Sequence, residues 1–168
     1  MPRSRWPRRR QRPRRRSSIG IEFFPGKAPN HARNFLRLAA LGVYDGVAFH
    51  RVAPGFVIQT GHLPSRAEPL TERQQQYVRN LPPEFNDTKH VKGVVSMARG
   101  DDPASASTSF FIVTGTPPGL DGVYTAFVKV VSGMDVVDAI ESAGCATKRA
   151  NAREPASGLT PHVLSLYR

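Results

Sequence analysis

Short apolar runs, repeatedly broken by glycine and proline, constrain this chain more than any other feature. Ile19 to Phe24, Val47 to Val52, Phe56 to Gln59, Gly93 to Ala98, Ser109 to Thr114, Thr125 to Val131 and Val163 to Tyr167 each read as a strand. Turn signals at Pro25-Gly26, Asp45-Gly46 and Asp121-Gly122 separate them. Two segments follow a helical period instead. Ala32, Phe35, Leu36 and Ala39 fall at i, i+3, i+4 and i+7, which predicts a helix opening at Pro29 with Asn30 as N-cap and closing at Gly42. A second helix is predicted from Ser132 or Gly133 to about Gly144, carrying Val136, Val137 and Ile140. Many short strands with two helices predict a mainly β barrel or sandwich. Between them, His62 to Asp87 is polar and reads as a long loop with one helical turn.

The 168 residues suit one domain with a real core. The formal net charge of +11 is unevenly placed. Residues 1–18 hold nine Arg and no acid, which leaves 15 Lys and Arg against 13 Asp and Glu in residues 19–168. The division expected is a disordered Arg-rich tail over 1–18 and a folded domain over 19–168, because the tail has too little apolar surface to offset its ordering entropy. Two readings of the tail stand side by side: a solvated segment with no selected partner, and an arm making weak, salt-dependent contact with nucleic acid. No apolar h-region follows its charges, and no run of about 18 apolar residues occurs, so neither a secretory signal nor a membrane span is expected. The expectation from these absent signals is a cytoplasmic protein, monomeric by default. Cys145 is the single cysteine and cannot form an internal disulfide.

Familiar hydrolytic chemistry finds little support. His31, His50, His62, His90 and His162 are scattered without metal-ligand spacing, and no nucleophile elbow or Walker loop occurs. Asp101-Asp102 reads as a solvated loop. The sequence predicts neither a metal nor a cofactor. The segment Phe49 to Gln59, FHRVAPGFVIQ, is distinctive in another way: Arg51 and Gln59 stand among Phe49, Val52, Phe56, Val57 and Ile58. A fixed cationic donor among apolar side chains suits a reaction without proton transfer or a covalent intermediate. Rotation about an X-Pro bond is one such reaction, with a barrier of about 18–20 kcal/mol set by amide resonance.

Longer motifs sharpen this reading. FHRVAPGFVIQTG, GVVSMARGDDPASASTSFFI and LDGVYTAF resemble the signature segments of cyclophilins, the peptidyl-prolyl cis-trans isomerases. EFFPGKAPNHARNFLRLA and VVSGMDVVDAIE resemble the flanking strand and helices, and EFND at 84–87 resembles bacterial-type members. The resemblance runs from about Ile19 to about Ser142. It implies a closed eight-stranded antiparallel barrel capped by two α-helices, acting on proline-containing peptides and unfolded protein clients. By position it implies Arg51 as the catalytic residue, with substrate bound by Phe56, Val57, Gln59, Ala98, Arg99, Phe111, Leu120 and Tyr124. An alternative is a proline-peptide binding module with little turnover. Several positions depart from the family pattern. Gly119 stands at the pocket Trp position, which implies weak cyclosporin binding. Ser109 replaces a Gln and is expected to remove a polar neighbour of the site. Val57 is smaller than the common Met, and Val128 replaces a Gly, so a tight backbone approach there is not expected. Where the family has its first strand, this chain has RRRQRPRRRSS, so two outcomes are expected side by side: a barrel without a proper edge partner, or Arg15 to Ser18 pressed into a poor strand.

Overall fold

The computed structural model describes residues 17–144. Six strands run through them: β1 Gly20–Phe23, β2 Arg51–Ala53, β3 Val57–Thr60, β4 Val94–Met97, β5 Phe110–Val113 and β6 Ala126–Ser132. Three α-helices accompany them: α1 Pro29–Ala40, the single turn α2 Glu72–Gln75 and α3 Met134–Ala143. The strands form one antiparallel sheet in the order β1-β6-β4-β5-β3-β2.

This corrects the expectation of a closed barrel of eight strands: the described sheet has six and is open. Its edges are β1, paired only with β6, and β2, paired only with β3. Ser17 to Ile19 add no strand outside β1. The basic sequence before them lacks the alternating apolar residues that a strand needs to bury one face. The strand read at Val163 to Tyr167, Cys145, the tail through residue 16 and the rest of the 19–168 domain beyond residue 144 lie outside the described residues. Val47 lies outside β2 and makes only an isolated bridge to Arg66.

The core sits between the sheet and α1. Phe35 is its hub, with ring centroids 5.0 Å from Tyr44, 5.2 Å from Phe110, 5.5 Å from Phe127 and 5.7 Å from Phe23. Such tilted and edge-on ring pairs add to the area burial that drives the packing. Ile58, Met97, Ile112, Val128 and Val137 complete this layer. Val128 is 1% exposed, so a core side chain fills the place where the family has Gly.

The buried face of α1 carries His31, Ala32, Asn34, Phe35 and Leu38, while Leu36 is 38% exposed. The stripe read from the sequence is therefore rotated by one position on its far side. Asn30 is not the N-cap either. Ala28 is, without a side-chain bond, and Pro29 opens the helix. The cap comes from 54 residues away, where the Glu84 carboxylate accepts the backbone N–H groups of Asn30 and His31, each at 3.0 Å. It also accepts from Asn30 Nδ2 at 2.9 Å and contacts His31 Nδ1 at 2.6 Å. This places an anion at the positive end of the helix. Burial alone would raise the Glu84 pKa, but the hydrogen bonds from His31 and Asn30 hold it below the ordinary carboxylate value. At the other end Leu41 is the C-cap and Gly42 follows at φ 69°, the left-handed residue its sequence position predicts.

The long polar segment is tied down at several points. Gln74 Nε2 donates to Leu41 O at 2.8 Å, and Arg66 donates to the carbonyls of Gly42, Val43 and Glu68. A capping box between Thr71 and Gln74 starts α2.

Candidate active site

The hairpin of β2 and β3 carries the first part of the site. Register places Arg51 opposite Gln59 and Ala53 opposite Val57. Pro54 and Gly55 make the turn, with Gly55 at φ 72° and the Phe56 N–H donating to Ala53 O at 3.0 Å. Arg51 therefore stands exposed on an edge strand, and its guanidinium carbon lies 5.8 Å from the Phe56 ring centroid. An Arg51 N–H meets Gln59 Oε1 at 3.5 Å, a long contact that leaves most of the five-donor fork uncommitted.

The turn is held from two sides. The Glu141 carboxylate of α3 accepts the Gly55 N–H at 2.8 Å. Beneath it, Gly115 lets the chain approach so closely that a Cβ there would lie 2.0 Å from Gly55 O. Thr114 N–H then donates to Phe56 O at 3.0 Å. Neither Gly115 nor Glu141 was legible as part of the site. A half-buried acid near a helix end gives no local sign that it reaches a turn 86 residues away.

An apolar wall rises beside the hairpin. Val57, Phe111 and Leu120 are buried with Val94, Val113 and Ala126, and Phe56, Ala98 and Tyr124 pack against them. Phe111 lies on β5 opposite Gln59 of β3, and Tyr124 meets its ring edge-on at 5.4 Å. Leu120 comes from the turn after Gly119, where its carbonyl accepts the N–H groups of Val123 and Tyr124. Gly119 sits at φ 80°, and a Cβ there would meet nothing within 4 Å, so this side of the wall stands open.

All nine residues singled out in the sequence lie on this connected surface, with differences in detail. Arg99 does not offer a loose cation. Its guanidinium carbon lies 5.1 Å from the Tyr124 ring centroid, and its N–H groups donate to the carbonyls of Gly100, Asp101 and Val123. Ala98 N–H is taken by Ser109 O at 2.8 Å. Ser109 does not remove a polar neighbour, contrary to expectation. Its Oγ accepts from Gln59 Nε2 at 3.2 Å and donates to Thr60 O at 3.0 Å. The shorter side chain still orients Gln59 because β3 and β5 are adjacent.

A second constellation went unnoticed because Asp121 lies 31 residues from His90. His90 Nε2 lies 2.8 Å from Ser96 Oγ, and His90 Nδ1 lies 3.0 Å from Asp121 Oδ1. This has the composition of a nucleophilic triad, but Ser96 is 0% exposed in the middle of the sheet and no substrate can reach its hydroxyl. Its role is a strut. Asp121 also accepts the His90 backbone N–H at 2.8 Å, which fastens the Leu120 turn to the segment entering β4. Hydrogen bonds from the His90 backbone and ring, then from Lys89, hold the Asp121 pKa down at about 2. Among the described residues no group of three or more His, Cys, Asp or Glu is placed to hold a metal ion. No helix among them is long and apolar enough to cross a membrane.

The arrangement is one antiparallel sheet that presents an edge-strand arginine beside a ring-lined apolar wall, and comparison with known proteins identifies the cyclophilin class of fold. The chain belongs to that family: the model for cyclophilin type peptidyl-prolyl cis-trans isomerase/CLD matches residues 13–158. It is 42% identical over 130 residues to a probable peptidyl-prolyl cis-trans isomerase of Brucella abortus (strain 2308), covering 73% of this chain and 66% of that one. Its match thus spans just under two thirds of that relative. A peptidyl-prolyl cis-trans isomerase of Synechococcus elongatus is 39% identical over 114 residues, 67% of this chain and 72% of that one. Among solved structures it is similar to a Cryptosporidium parvum cyclophilin type peptidyl-prolyl cis-trans isomerase crystallised in the presence of the dipeptide Ala-Pro. The TM-score is 0.64 at 29% identity, over 73% of this chain and 78% of that one. The fold is cyclophilin-like and mainly β.

Proposed function

We propose that this protein is a peptidyl-prolyl cis-trans isomerase that assists the folding of proline-containing clients, with Arg51 as its catalytic residue. The observation that carries the reading is the pairing of Arg51 with Gln59 at the rim of the wall formed by Phe56, Phe111 and Leu120. A proline ring packed on that wall is held while the preceding carbonyl rotates. As the bond twists, the prolyl nitrogen regains its lone pair and becomes an acceptor. An Arg51 N–H donates to it then and hardly at all in the planar ground state, so the bond lowers the barrier selectively. Arginine suits this because it stays charged and its fork is planar and rigid. Gln59, steadied by Ser109, contacts the substrate backbone and limits the guanidinium's freedom. Each 1.36 kcal/mol of selective stabilisation gives about tenfold in rate. The Ala-Pro dipeptide used with the Cryptosporidium relative supports the ligand class.

The open side at Gly119 favours one second reading, a proline-peptide binder with little turnover. Exchange NMR on a short Ala-Pro peptide separates the two. Accelerated cis-trans exchange at catalytic protein concentrations supports the isomerase. Saturable shift changes without acceleration identify the binder.

A further inference from the structure

The strut of His90, Ser96 and Asp121 meets the apolar wall at both ends. The His90 ring lies 6.4 Å from the Phe111 ring with 28° between their planes, a stacked arrangement. Phe111 is a buried wall residue on β5, opposite Ser96 of β4. At the other end Asp121 directly follows Leu120, a second buried wall residue. Phe111 and Leu120 therefore come from different segments, a strand and a turn, and the strut is what lies between them.

The turn gains little support from its own residues. Inside it the Leu120 carbonyl accepts the Val123 and Tyr124 N–H groups at 3.1 and 3.2 Å. Before it Gly119 presents no side chain, and a Cβ there would meet nothing within 4 Å. Side-chain bonds tie the turn to other segments at two points. On the exposed side Arg99 donates to Val123 O at 3.2 Å. Beside Leu120 the Asp121 carboxylate accepts the His90 backbone N–H at 2.8 Å and lies 3.0 Å from His90 Nδ1, while its second oxygen lies 3.1 Å from Lys89 Nζ. An ionised carboxylate only accepts, so Nδ1 carries the proton of that bond. The far ring nitrogen, Nε2, meets Ser96 Oγ at 2.8 Å, and the ring is buried, so its angle against Phe111 is fixed from both sides. One side chain thus governs both the place of Leu120 and the ring stacked on Phe111. Its bonds go to Lys89 and His90, away from the hairpin that carries Arg51 and Gln59.

Resting on the isomerase reading, we propose that Asp121 is a positioning residue of the reaction, which sets the spacing of Leu120 and Phe111 that receives the proline ring. It acts through those two residues and through His90, not by touching substrate. Its loss weakens the hold on proline equally in the ground state and the twisted state, because the ring rests on the wall in both. Affinity then falls while the rotation step at Arg51 proceeds at nearly its former rate. General loosening of the fold would lower both.

The test uses the full chain, a short Ala-Pro peptide and variants shown to be folded. Shift titrations give the affinity, and catalysed exchange at saturating peptide gives the turnover. Asp121→Ala is expected to weaken affinity about three- to tenfold, the effect of about one net hydrogen bond, with turnover within about twofold of wild type. Asp121→Asn keeps an acceptor at the same reach and should bind within about twofold of wild type. In a Leu120→Ala background, Asp121→Ala should add less than about twofold, because the residue it positions is gone. Unchanged affinity in Asp121→Ala overturns the proposal. So does an undiminished loss in the Leu120→Ala background, or a fall in turnover as large as the fall in affinity. If Asp121→Ala does not fold, Asp121→Asn is compared with Asp121→Glu, whose extra methylene displaces the turn. Weaker binding by Asp121→Glu alone supports the proposal, and equal affinity of the two overturns it. If wild type binds the peptide without speeding its exchange, the isomerase reading falls, and the same affinities still decide whether Asp121 positions the wall.

Discussion

Replacing Glu84 by alanine tests how the fold holds α1 against the sheet. The carboxylate serves four groups, and the two on Asn30 are exposed enough for water to replace it. The two on His31 are different, because that residue is 0% exposed. Losing a charged acceptor for the His31 backbone N–H costs about 1.5–3 kcal/mol, and leaving its buried ring nitrogen without a partner about 1–3 kcal/mol. Together the loss is about 2.5–6 kcal/mol, a large share of the stability of an ordinary domain. For a chain of this size that is a fall in Tm of about 5–24 °C. The effect depends on pH in a fixed direction. The folded-state pKa of Glu84 lies below its ordinary 4.5, so its stabilisation is complete above that value and is lost as pH falls through the folded value. Urea unfolding of both proteins at neutral pH and at about pH 3 measures the difference. It should be largest at neutral pH and narrow on acidification. A loss below about 1 kcal/mol at neutral pH, or an equal loss at both, would refute the reasoning.

Other predictions concern the turn beside Arg51. Glu141→Ala removes the acceptor of the Gly55 N–H at an exposed site, so stability should change by less than about 1 kcal/mol while kcat/KM falls about two- to fivefold. Glu141→Gln, which keeps an oxygen in place, should recover most of that loss, and an unchanged kcat/KM in Glu141→Ala sinks the idea. Gly115→Ala drives a Cβ to 2.0 Å from Gly55 O, so it should destabilise by about 1–3 kcal/mol and displace the Gly55 and Phe56 amide signals. Wild-type spectra and stability in that variant would show the close approach to be unimportant.

What was legible in the sequence was local. The runs that became β1 and β3 to β6 were visible in apolar patterning, and the end of α1 in Gly42. A helical turn in the polar loop was expected, but the Thr71–Gln74 capping box that starts it was not singled out. What escaped depends on distant partners. The α1 cap sits on Glu84, so no residue beside the helix announces it. The same distance hid the His90–Ser96–Asp121 strut and the Glu141–Gly55 bond. Barrel closure was carried over from the family, although the Arg-rich head has no strand pattern with which to supply an edge. The site residues were legible only together: Arg51 alone reads as a surface strand residue, and Phe111 alone as core. Their order along three motifs brought them to one face.

We propose that Arg51 accelerates X-Pro rotation from the rim of the apolar wall. Exchange NMR on one Ala-Pro peptide, with wild type and a folded Arg51→Ala variant at equal concentration, tests it most directly. The expected result is fast exchange with wild type, a fall of about 10²-fold or more in the variant, as for loss of one transition-state donor, and peptide affinity changed only a few-fold. Equal acceleration by both proteins would contradict it.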